Sequence, residues 1–551
     1  MCGIFLYIDK SRHRTFSEEH VFSEFMKIQH RGPDNSTFSI LDESLAMGFH
    51  RLAINDLSWK GNQPMMINDV AMICNGEIYN HEAIKKQYKL ECTSNSDCET
   101  VLMLYNALSK NEDQDIMDEM ARVIDGEYAF LIYDKNKQKV YSCRDPFGVR
   151  PLFIGYDENV KNRVGFASEL KALDKLFTDV HQFLPGTYMV VEMSGTSMDW
   201  TLGCFHDVFD VARNLEHVQT NLVDIFPVIR DLLINSVRKR MSSSDRPMCA
   251  LLSGGLDSSL VCGILSKYQN KEQKLHTFSI GISSEGTDIQ CAREVAKFIN
   301  SEHHEVIISA PEMLRHIEKV IYITETFDIT TIRASIPHYL VSKYIKEHTD
   351  FKIVFSGELS DEQFGGYLYF KKAPNEVEFT KECTRLLDEV CYFDNLRADR
   401  CISFNGLEAR VPFSDLSLVK YVSSIDPSLR MSKGKIEKFL LRKAFENEGL
   451  IPESILNRQK EAFSDGVSKN TDSWYKIIQN HIESLVTDEE FLRESIKFTF
   501  CIPDTKEAYY YRKIYHHFYT NQYIIPNFWR PKWVDQMDPS ARELAVYTDA
   551  D

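Results

Sequence analysis

Position 2 of this chain is a cysteine, followed by Gly3 and the apolar Ile4-Phe5-Leu6. If Met1 is removed, which the small Cys2 permits, a thiol and a free α-amine share one residue, and the nucleophile carries its own base. Unperturbed pKa values of about 8.5 for a thiol and about 7.7–8.0 for an α-amine leave each a modest shift away from working at neutral pH. A second-position cysteine is otherwise a small strand residue, so its meaning depends on the rest of the chain. Four polar clusters accompany it: His30-Arg31-Gly32-Pro33-Asp34, His50-Arg51-Leu52-Ala53-Ile54, Cys74-Asn75-Gly76-Glu77 and Ser94-Asn95-Ser96-Asp97. Each alone reads as a turn or a cap, and Asn75-Gly76 suits a tight turn. A fifth stretch, Ser253-Gly254-Gly255-Leu256-Asp257-Ser258-Ser259, lies where a strand should pass into a helix. Glycines there let backbone wrap an anion, the helix N-terminus supplies oriented N–H groups, and serines add hydroxyl donors. The stretch lacks the Gly-Lys-Ser/Thr of a Walker loop, which disfavours γ-phosphoryl transfer.

The elements that must hold these residues fall into two patterns. Up to about residue 205 the chain reads as strands and turns with a few helices. A strand is predicted over 2–8, a helix over 17–29, a short strand over 71–74, and a hairpin of 128–133 with 139–144. Ser96 and Glu99 have capping-box spacing ahead of Val101, Leu102, Leu104, Tyr105 and Leu108. From about residue 206, strands and helices alternate: strand 248–252, helix 257–266, strand 275–281, helix 289–299, strand 306–309, two helices, and strand 351–355. Such alternation argues for a parallel, doubly wound sheet with its ligand at the carboxyl ends of the strands.

At 551 residues two or more domains are expected, here 1–205 and 206–551. The formal charge of −17 argues against a nucleic-acid surface. No apolar run approaches the roughly 20 residues needed to span a bilayer, and Asp9, Lys10 and Arg12 come too early for a signal peptide. Thirteen scattered cysteines without a C-x-x-C pair fit a reducing cytosol better than a disulfide framework or a zinc site.

Taken together, Cys2-Gly3-Ile4 and the four clusters resemble the class II, N-terminal-nucleophile glutamine amidotransferases. That resemblance covers about 200 residues and implies an αββα sandwich of two antiparallel sheets. Carried onto this chain, it makes Cys2 the thiol that attacks the glutamine carboxamide. The Asn75 side chain and the Gly76 N–H become donors to the oxyanion, where negative charge develops. Arg51 would pair the substrate α-carboxylate in a bidentate fork, Asp97 and Glu77 would receive its α-ammonium, and Leu52, Ala53 and Ile54 would add backbone contacts. The S-G-G-L-D-S-S string resembles the pyrophosphate loop of ATP pyrophosphatases, whose fold is a doubly wound parallel sheet, here with helical additions.

The order of the two halves resembles the glutamine-hydrolysing asparagine synthetase family. Glu325-Thr326-Phe327-Asp328, Ser356-Gly357-Glu358, Leu407-Glu408-Ala409-Arg410-Val411-Pro412-Phe413 and Arg458-Gln459-Lys460-Glu461 extend that resemblance over nearly the whole chain. It implies that ATP activates the aspartate side-chain carboxylate as β-aspartyl-AMP with release of pyrophosphate, and that ammonia from glutamine then displaces AMP to give asparagine. Leu252, Ile280, Ser356 and Gly357 would hold the nucleotide, and Ser253, Gly254, Gly255, Asp257 and Ser258 its pyrophosphate. Asp257 and Asp361 would be the Mg²⁺ carboxylates, Lys460 and Arg333 would neutralise developing charge, and Glu358 would take the proton from the attacking nitrogen. Two sites in one chain also imply a shielded passage for ammonia, with residues 397–411 a candidate to line the interface or simply to pack it.

This chain departs from the family at Leu359, where glycine is usual, and at Gln363 in the string that follows. Leucine adopts a positive φ less readily than glycine, so the loop around Glu358 is expected to be shaped differently. A same-architecture enzyme acting on another carboxylate, or a silent metabolite-binding scaffold, are the competing readings. Intact Cys2, Asn75, Asp97, Asp257, Glu358 and Lys460 weigh against both. Expected partners are glutamine, aspartate and ATP, without nucleic acid or membrane. The resemblance also suggests a homodimer and a cytosolic location.

Overall fold

The computed structural model describes residues 1–11, 15–110, 115–157, 160–195, 197–207, 219–270, 272–432, 434, 436–469, 473–535 and 538–543. Twelve strands come first in the chain: β1 (Gly3–Asp9), β2 (Asn35–Asp42), β3 (Leu45–Arg51), β4 (Met65–Ile67), β5 (Val70–Ile78), β6 (Gly126–Asp134), β7 (Lys139–Arg144), β8 (Phe153–Asp157), β9 (Val160–Ala167), β10 (Asp179–Gln182), β11 (Thr187–Ser194) and β12 (Ser197–Cys204). They form two six-stranded sheets, ordered β10-β8-β9-β1-β3-β2 and β12-β11-β7-β6-β5-β4.

The facing sides of the two sheets share one apolar core, with Ile4, Leu6 and Ile8 against Ile73 and Leu131. Helices cover the outer faces. On the first sheet, α1 (Glu18–Met26) sets Phe25 against Phe5. On the second, α2 (His81–Tyr88), α3 (Glu99–Leu108) and α4 (Ile116–Val123) bring Ile84, Val101, Leu104 and Met120 onto Tyr128 and Phe130. The α3 residues recur at the three-to-four spacing that gives a helix one apolar stripe.

Two local expectations fail here. Asn75 and Gly76 are not a turn: they continue β5, paired with Ala129 and Tyr128 of β6. Gly76 is required by crowding, since a Cβ there would lie 2.6 Å from the Glu127 carbonyl. Ser96 and Glu99 are not a capping box either. The Glu99 carboxylate accepts the backbone N–H groups of Thr93 and Ser94, at 2.8 and 2.7 Å, and so braces the loop ahead of α3.

The rest of the chain is built on β13 (Met248–Leu251), β14 (His276–Gly281), β15 (Glu302–Ile307), β16 (Ile353–Phe355) and β17 (Glu408–Arg410), all parallel, in the order β15-β14-β13-β16-β17. Around them lie α5 (Leu222–Ser242), α6 (Leu256–Tyr268), α7 (Thr287–Phe298), α8 (Ala310–Leu314), α9 (Ile317–Thr324), α10 (Ile329–His348), α11 (Ser360–Phe364), α12 (Asp394–Ser403) and α13 (Phe439–Phe445). Strand side chains alternate between two cores, Cys249 and Val354 facing one, Ala250 and Phe355 the other. This is a sheet covered on both faces. β15 starts four residues earlier than its apolar signal at Val306, because Glu302 to Glu305 sit on a partly exposed edge. Three helices rather than two separate it from β16. Strand order reverses beside β13, which opens a crevice at the carboxyl ends.

The core on one face of this sheet also takes in Phe5, Leu173 and Phe177 from the sandwich, so the two halves share apolar packing. Among the described residues no helix is long and apolar enough to cross a membrane.

Candidate active sites

Cys2 stands just before β1, whose pairing with β3 sets Gly3 opposite His50 and brings Leu52 alongside. The Leu52 N–H donates to Cys2 Sγ at 3.4 Å, and the thiol donates back to the Leu52 carbonyl at 3.6 Å. Burial pushes the thiol pKa up to about 11. The Met1 ammonium is also buried, 3.3 Å from the Leu407 carbonyl, and burial lowers its pKa to about 6 despite the nearby Glu408 carboxylate.

The other sandwich residues singled out in the sequence are placed as follows. Asn75 is 1% exposed, and its side-chain Nδ2 has no acceptor among the described residues, a donor left over in the fold. Arg51 is buried and donates to the carbonyls of Ser58, Asn55 and Asp56 and to Asn62 Oδ1. It forms no ion pair with any carboxylate among the described residues, a costly state for a buried guanidinium. The Asn55 amide bridges Glu77 at 2.9 Å and Asp97 at 3.1 Å, and Asp97 also accepts the Ile78 N–H at 2.6 Å. Burial raises the Glu77 carboxyl well above its ordinary range, against the pull of Arg410.

The Leu52–Ile54 backbone then leads into the other half: the Ala53 carbonyl accepts from Arg246 at 2.9 Å, and the Ile54 carbonyl from the Asp245 N–H at 3.1 Å.

The second site lies in the crevice. Its walls include Leu252, Ser253, Gly255, Asp257, Ser258, Ile280, Ser356, Gly357, Glu358, Asp361 and Lys460. Gly254 is not among the lining residues. It serves the turn, with φ +72° and a would-be Cβ only 2.4 Å from Cys291 Cβ on α7. Ser253 and Ser258 face each other, hydroxyl to hydroxyl, at 3.0 Å across the loop.

One lysine organises the carboxylates. Lys438 Nζ lies 2.6 Å from Asp257 and 2.6 Å from Asp361, and Lys460 Nζ lies 2.6 Å from the other Asp361 oxygen. Burial alone would raise the Asp361 carboxyl, but the two lysines hold it down at about 2. Sequence reading missed Lys438. Nothing in a run of ordinary basic residues signals that its backbone turns left-handed, with φ +56°, just before α13.

Glu358 is gripped by Arg397 at 2.7 Å and accepts from Ser356 at 3.3 Å. Burial raises its carboxyl above the ordinary range while Arg397 opposes the rise. Leu359 does adopt the left-handed conformation, φ +72°, with its side chain buried. Its carbonyl accepts from the Gln363 amide at 2.8 Å, so the two departures from the family pattern touch each other.

Arg333 does not join this site. Its guanidinium is held by Glu507 at 2.7 Å and Asp538 at 2.8 Å, and it does not line the crevice although Thr330, Thr331 and Ala334 do. The helical turn points it away from its neighbours' target, a distinction the linear motif does not carry.

Between the two sites lies a layer of buried charge. Arg31 pairs with Glu169 at 2.7 Å and Asp399 at 2.8 Å, and Arg400 and Lys171 both pair with Glu325 at 2.9 Å. Arg240 pairs with Glu127 at 2.8 Å, and Arg410 with Glu77 at 3.3 Å. The 397–411 stretch therefore does contact the sandwich, through Asp399 and Arg410 and through Arg400, whose guanidinium also lies 3.9 Å from Glu169.

Fold and sites together define a two-site class: a sandwich with a cysteine at position 2, joined to a parallel sheet with a glycine- and serine-rich loop at its switch point. A family model described as a glutamine amidotransferase domain matches residues 1–193, and one described as asparagine synthase matches 228–383 and 371–538. The chain is 40% identical to the asparagine synthetase (glutamine-hydrolyzing) of Mesocricetus auratus and to that of Homo sapiens, in each case over 95% of this chain and 96% of the relative. It is 39% identical to a probable asparagine synthetase (glutamine-hydrolyzing) of Acanthamoeba polyphaga mimivirus, over 99% of this chain and 100% of the relative. The chain belongs to the asparagine synthase family.

Proposed function

We propose that this chain makes asparagine from aspartate, ATP and glutamine, an ATP-dependent carbon–nitrogen ligation. The observation that carries this reading is the pairing, in one chain, of a backbone-cradled Cys2 with a crevice where Asp257, Asp361, Lys438 and Lys460 meet. In the sandwich, taken as residues 1–205, Cys2 attacks the glutamine carboxamide carbon. A buried thiol with a pKa near 11 needs a base at that moment. Removal of Met1 frees the Cys2 amine beside its own thiol, in a setting where burial lowers the basicity of the Met1 amine, and this amine is assigned as the base. The proton passes from thiol to amine and then to the departing ammonia, and water then hydrolyses the resulting γ-glutamyl thioester, releasing glutamate and restoring the Cys2 thiol. Asn75 Nδ2 and the Gly76 N–H stabilise the oxyanion, Arg51 the substrate carboxylate, and Asp97 with Glu77 its ammonium.

In residues 206–551 the aspartate carboxylate attacks the α-phosphorus of ATP, expelling pyrophosphate, and ammonia then displaces AMP from the acyl carbon. The Ser253–Ser258 loop binds the leaving phosphates, Lys460 and Lys438 offset their charge, and Glu358 accepts a proton from the attacking nitrogen. Arg397 steadies Glu358. Arg333 is assigned a structural role through Glu507 and Asp538.

Asp257 and Asp361 fit Mg²⁺, because two carboxylates already converge within 2.6 Å of one cationic nitrogen. The ion would be held by them together with phosphate oxygens, and when bound supplies charge neutralisation to the pyrophosphate. A cytosolic homodimer completes the proposal, tested by cell fractionation and light scattering.

Incubation with ATP, Mg²⁺, aspartate and either glutamine or ammonium tests the chemistry. Asparagine and AMP should form in equal amounts. Appearance of ADP in place of AMP would rule out adenylation, and amidation of a different carboxylate in preference to aspartate would favour the other-substrate reading.

A further inference from the structure

The amino-terminal ends of β14 and β15, opposite the crevice, carry a cluster that the proposed reaction does not use. The parallel register sets His276 beside Glu302 and Phe278 beside His304, so the two histidines and the glutamate share one face of the sheet. His276 Nδ1 and His304 Nε2 approach to 3.1 Å. Glu302 places one carboxylate oxygen 3.7 Å from His276 Nε2 and the other 3.9 Å from His304 Nε2. One donor atom from each residue lies within 4.8 Å of the others.

The rings are held in place from outside: Phe278 stacks on His304 with centroids 4.5 Å apart and planes 9° apart, and Phe351 packs on His276 at 4.8 Å. The contrast with His303 on the opposite face is informative. Both nitrogens of His303 are used by hydroxyls, Thr277 at 2.9 Å and Ser279 at 3.0 Å. By contrast, His276 Nδ1 and His304 Nε2 are each other's neighbour at 3.1 Å, and only one proton can lie between them.

We propose that His276, Glu302 and His304 bind one divalent transition-metal ion of the zinc type, at a site separate from the catalytic crevice. With metal–nitrogen bonds of about 2.1 Å, two nitrogens 3.1 Å apart subtend about 95° at the ion, within reach of tetrahedral or square geometry. Glu302 is exposed and can swing its carboxylate inward while supplying negative charge. Two imidazoles and one carboxylate favour Zn²⁺, Co²⁺, Ni²⁺ or Cu²⁺ over Mg²⁺, which prefers oxygen ligands and keeps its waters. His276 and Glu302 also line an open cleft with Lys274 and Arg246, so the remaining position faces water or a small anion. An ion there ties the edge strand β15 to β14 below the crevice that β14 helps line.

The test is calorimetric titration of the full chain, stripped of metal, with Zn²⁺ in the presence of millimolar Mg²⁺, alongside Co²⁺ absorption spectra. One equivalent should bind, Mg²⁺ should not compete, and His276→Ala and His304→Ala should each weaken binding at least tenfold. Glu302→Gln, a change at an exposed residue that spares the fold, should weaken it severalfold. Co²⁺ should show ligand-field bands without a thiolate charge-transfer band. Binding unchanged in all three variants, displacement by Mg²⁺, or a thiolate band would each overturn the proposal.

Discussion

Lys438→Met removes the one cation that two carboxylates share and leaves the side-chain volume nearly intact. Lys438 Nζ is 2.6 Å from Asp257 and from Asp361, and its side chain is 1% exposed. After the change Asp257 keeps only the Ser360 hydroxyl, at 2.7 Å, and Asp361 keeps Lys460. Breaking a buried pair by deleting one partner costs about 3–5 kcal/mol; with Lys460 still in place, a loss of about 2–4 kcal/mol in stability is expected. The backbone strain at φ +56° is the same before and after, because both side chains carry a Cβ.

The catalytic consequence is larger and confined to one half. A preorganised charge aimed at developing negative charge is worth about 3–4 kcal/mol, or roughly 10²–10³ in rate. AMP formation from ATP, aspartate and ammonium should therefore fall by about that factor. Glutamine hydrolysis measured separately should stay within about twofold, since Cys2 and its partners do not touch Lys438. Stability should also lose part of its acid dependence. Asp361, at about 2 in the fold against 3.8 unperturbed, contributes stability above pH 4 that disappears as pH falls toward 2. Without Lys438 that window narrows. A folded Lys438→Met chain that forms AMP within threefold of the parent rate would refute the assignment.

Three further outcomes are expected. Cys2→Ala should abolish glutamine-supported asparagine formation and spare the ammonium-supported reaction, as product assays with each nitrogen donor would show; loss of both would contradict the division of labour. The glutamine-supported rate should fall on the acid side as the N-terminal amine becomes protonated and can no longer act as base, at a pH below the ordinary α-amine range of about 7.7–8.0 because burial at this end of the chain lowers an amine. A pH–rate profile for glutamine hydrolysis with no limb between pH 5 and 7 would remove the amine from that role. Leu359→Gly should relieve about 1 kcal/mol of left-handed strain but forfeit about 3–5 kcal/mol of buried leucine packing. A net loss of about 2–4 kcal/mol is therefore expected in the denaturant midpoint, and unchanged stability would show that the side chain packs poorly.

Much of the architecture was legible because periodicity reports burial. The β6–β7 hairpin, α6 and β14 follow directly from it. Asn75-Gly76 misled because the pair that favours a turn in isolation can also continue a strand when a neighbouring strand supplies its partners. The polar start of β15 was invisible for a related reason: an edge strand facing solvent has no apolar signal. Arg333 and Lys438 show the same limit at the site. Motif membership suggested Arg333, yet Glu507 and Asp538, about 170 and 200 residues onward, claim its charge.

By itself, the sequence determined the two candidate chemistries: a cysteine at position 2, a glycine- and serine-rich loop at Ser253 to Ser259, and the alternation of elements that places such a loop at the end of a parallel strand. These are local properties, set by residue type and near-neighbour spacing. Tertiary structure alone decided which charges meet. It placed Lys438 between Asp257 and Asp361, left Arg51 without a carboxylate partner and the Asn75 amide N–H groups without an acceptor among the described residues, and sealed the halves together through Arg31, Glu169, Asp399 and Arg400. Those choices depend on long-range packing, where a side chain's partner is fixed by the path of the whole backbone rather than by its neighbours in the chain.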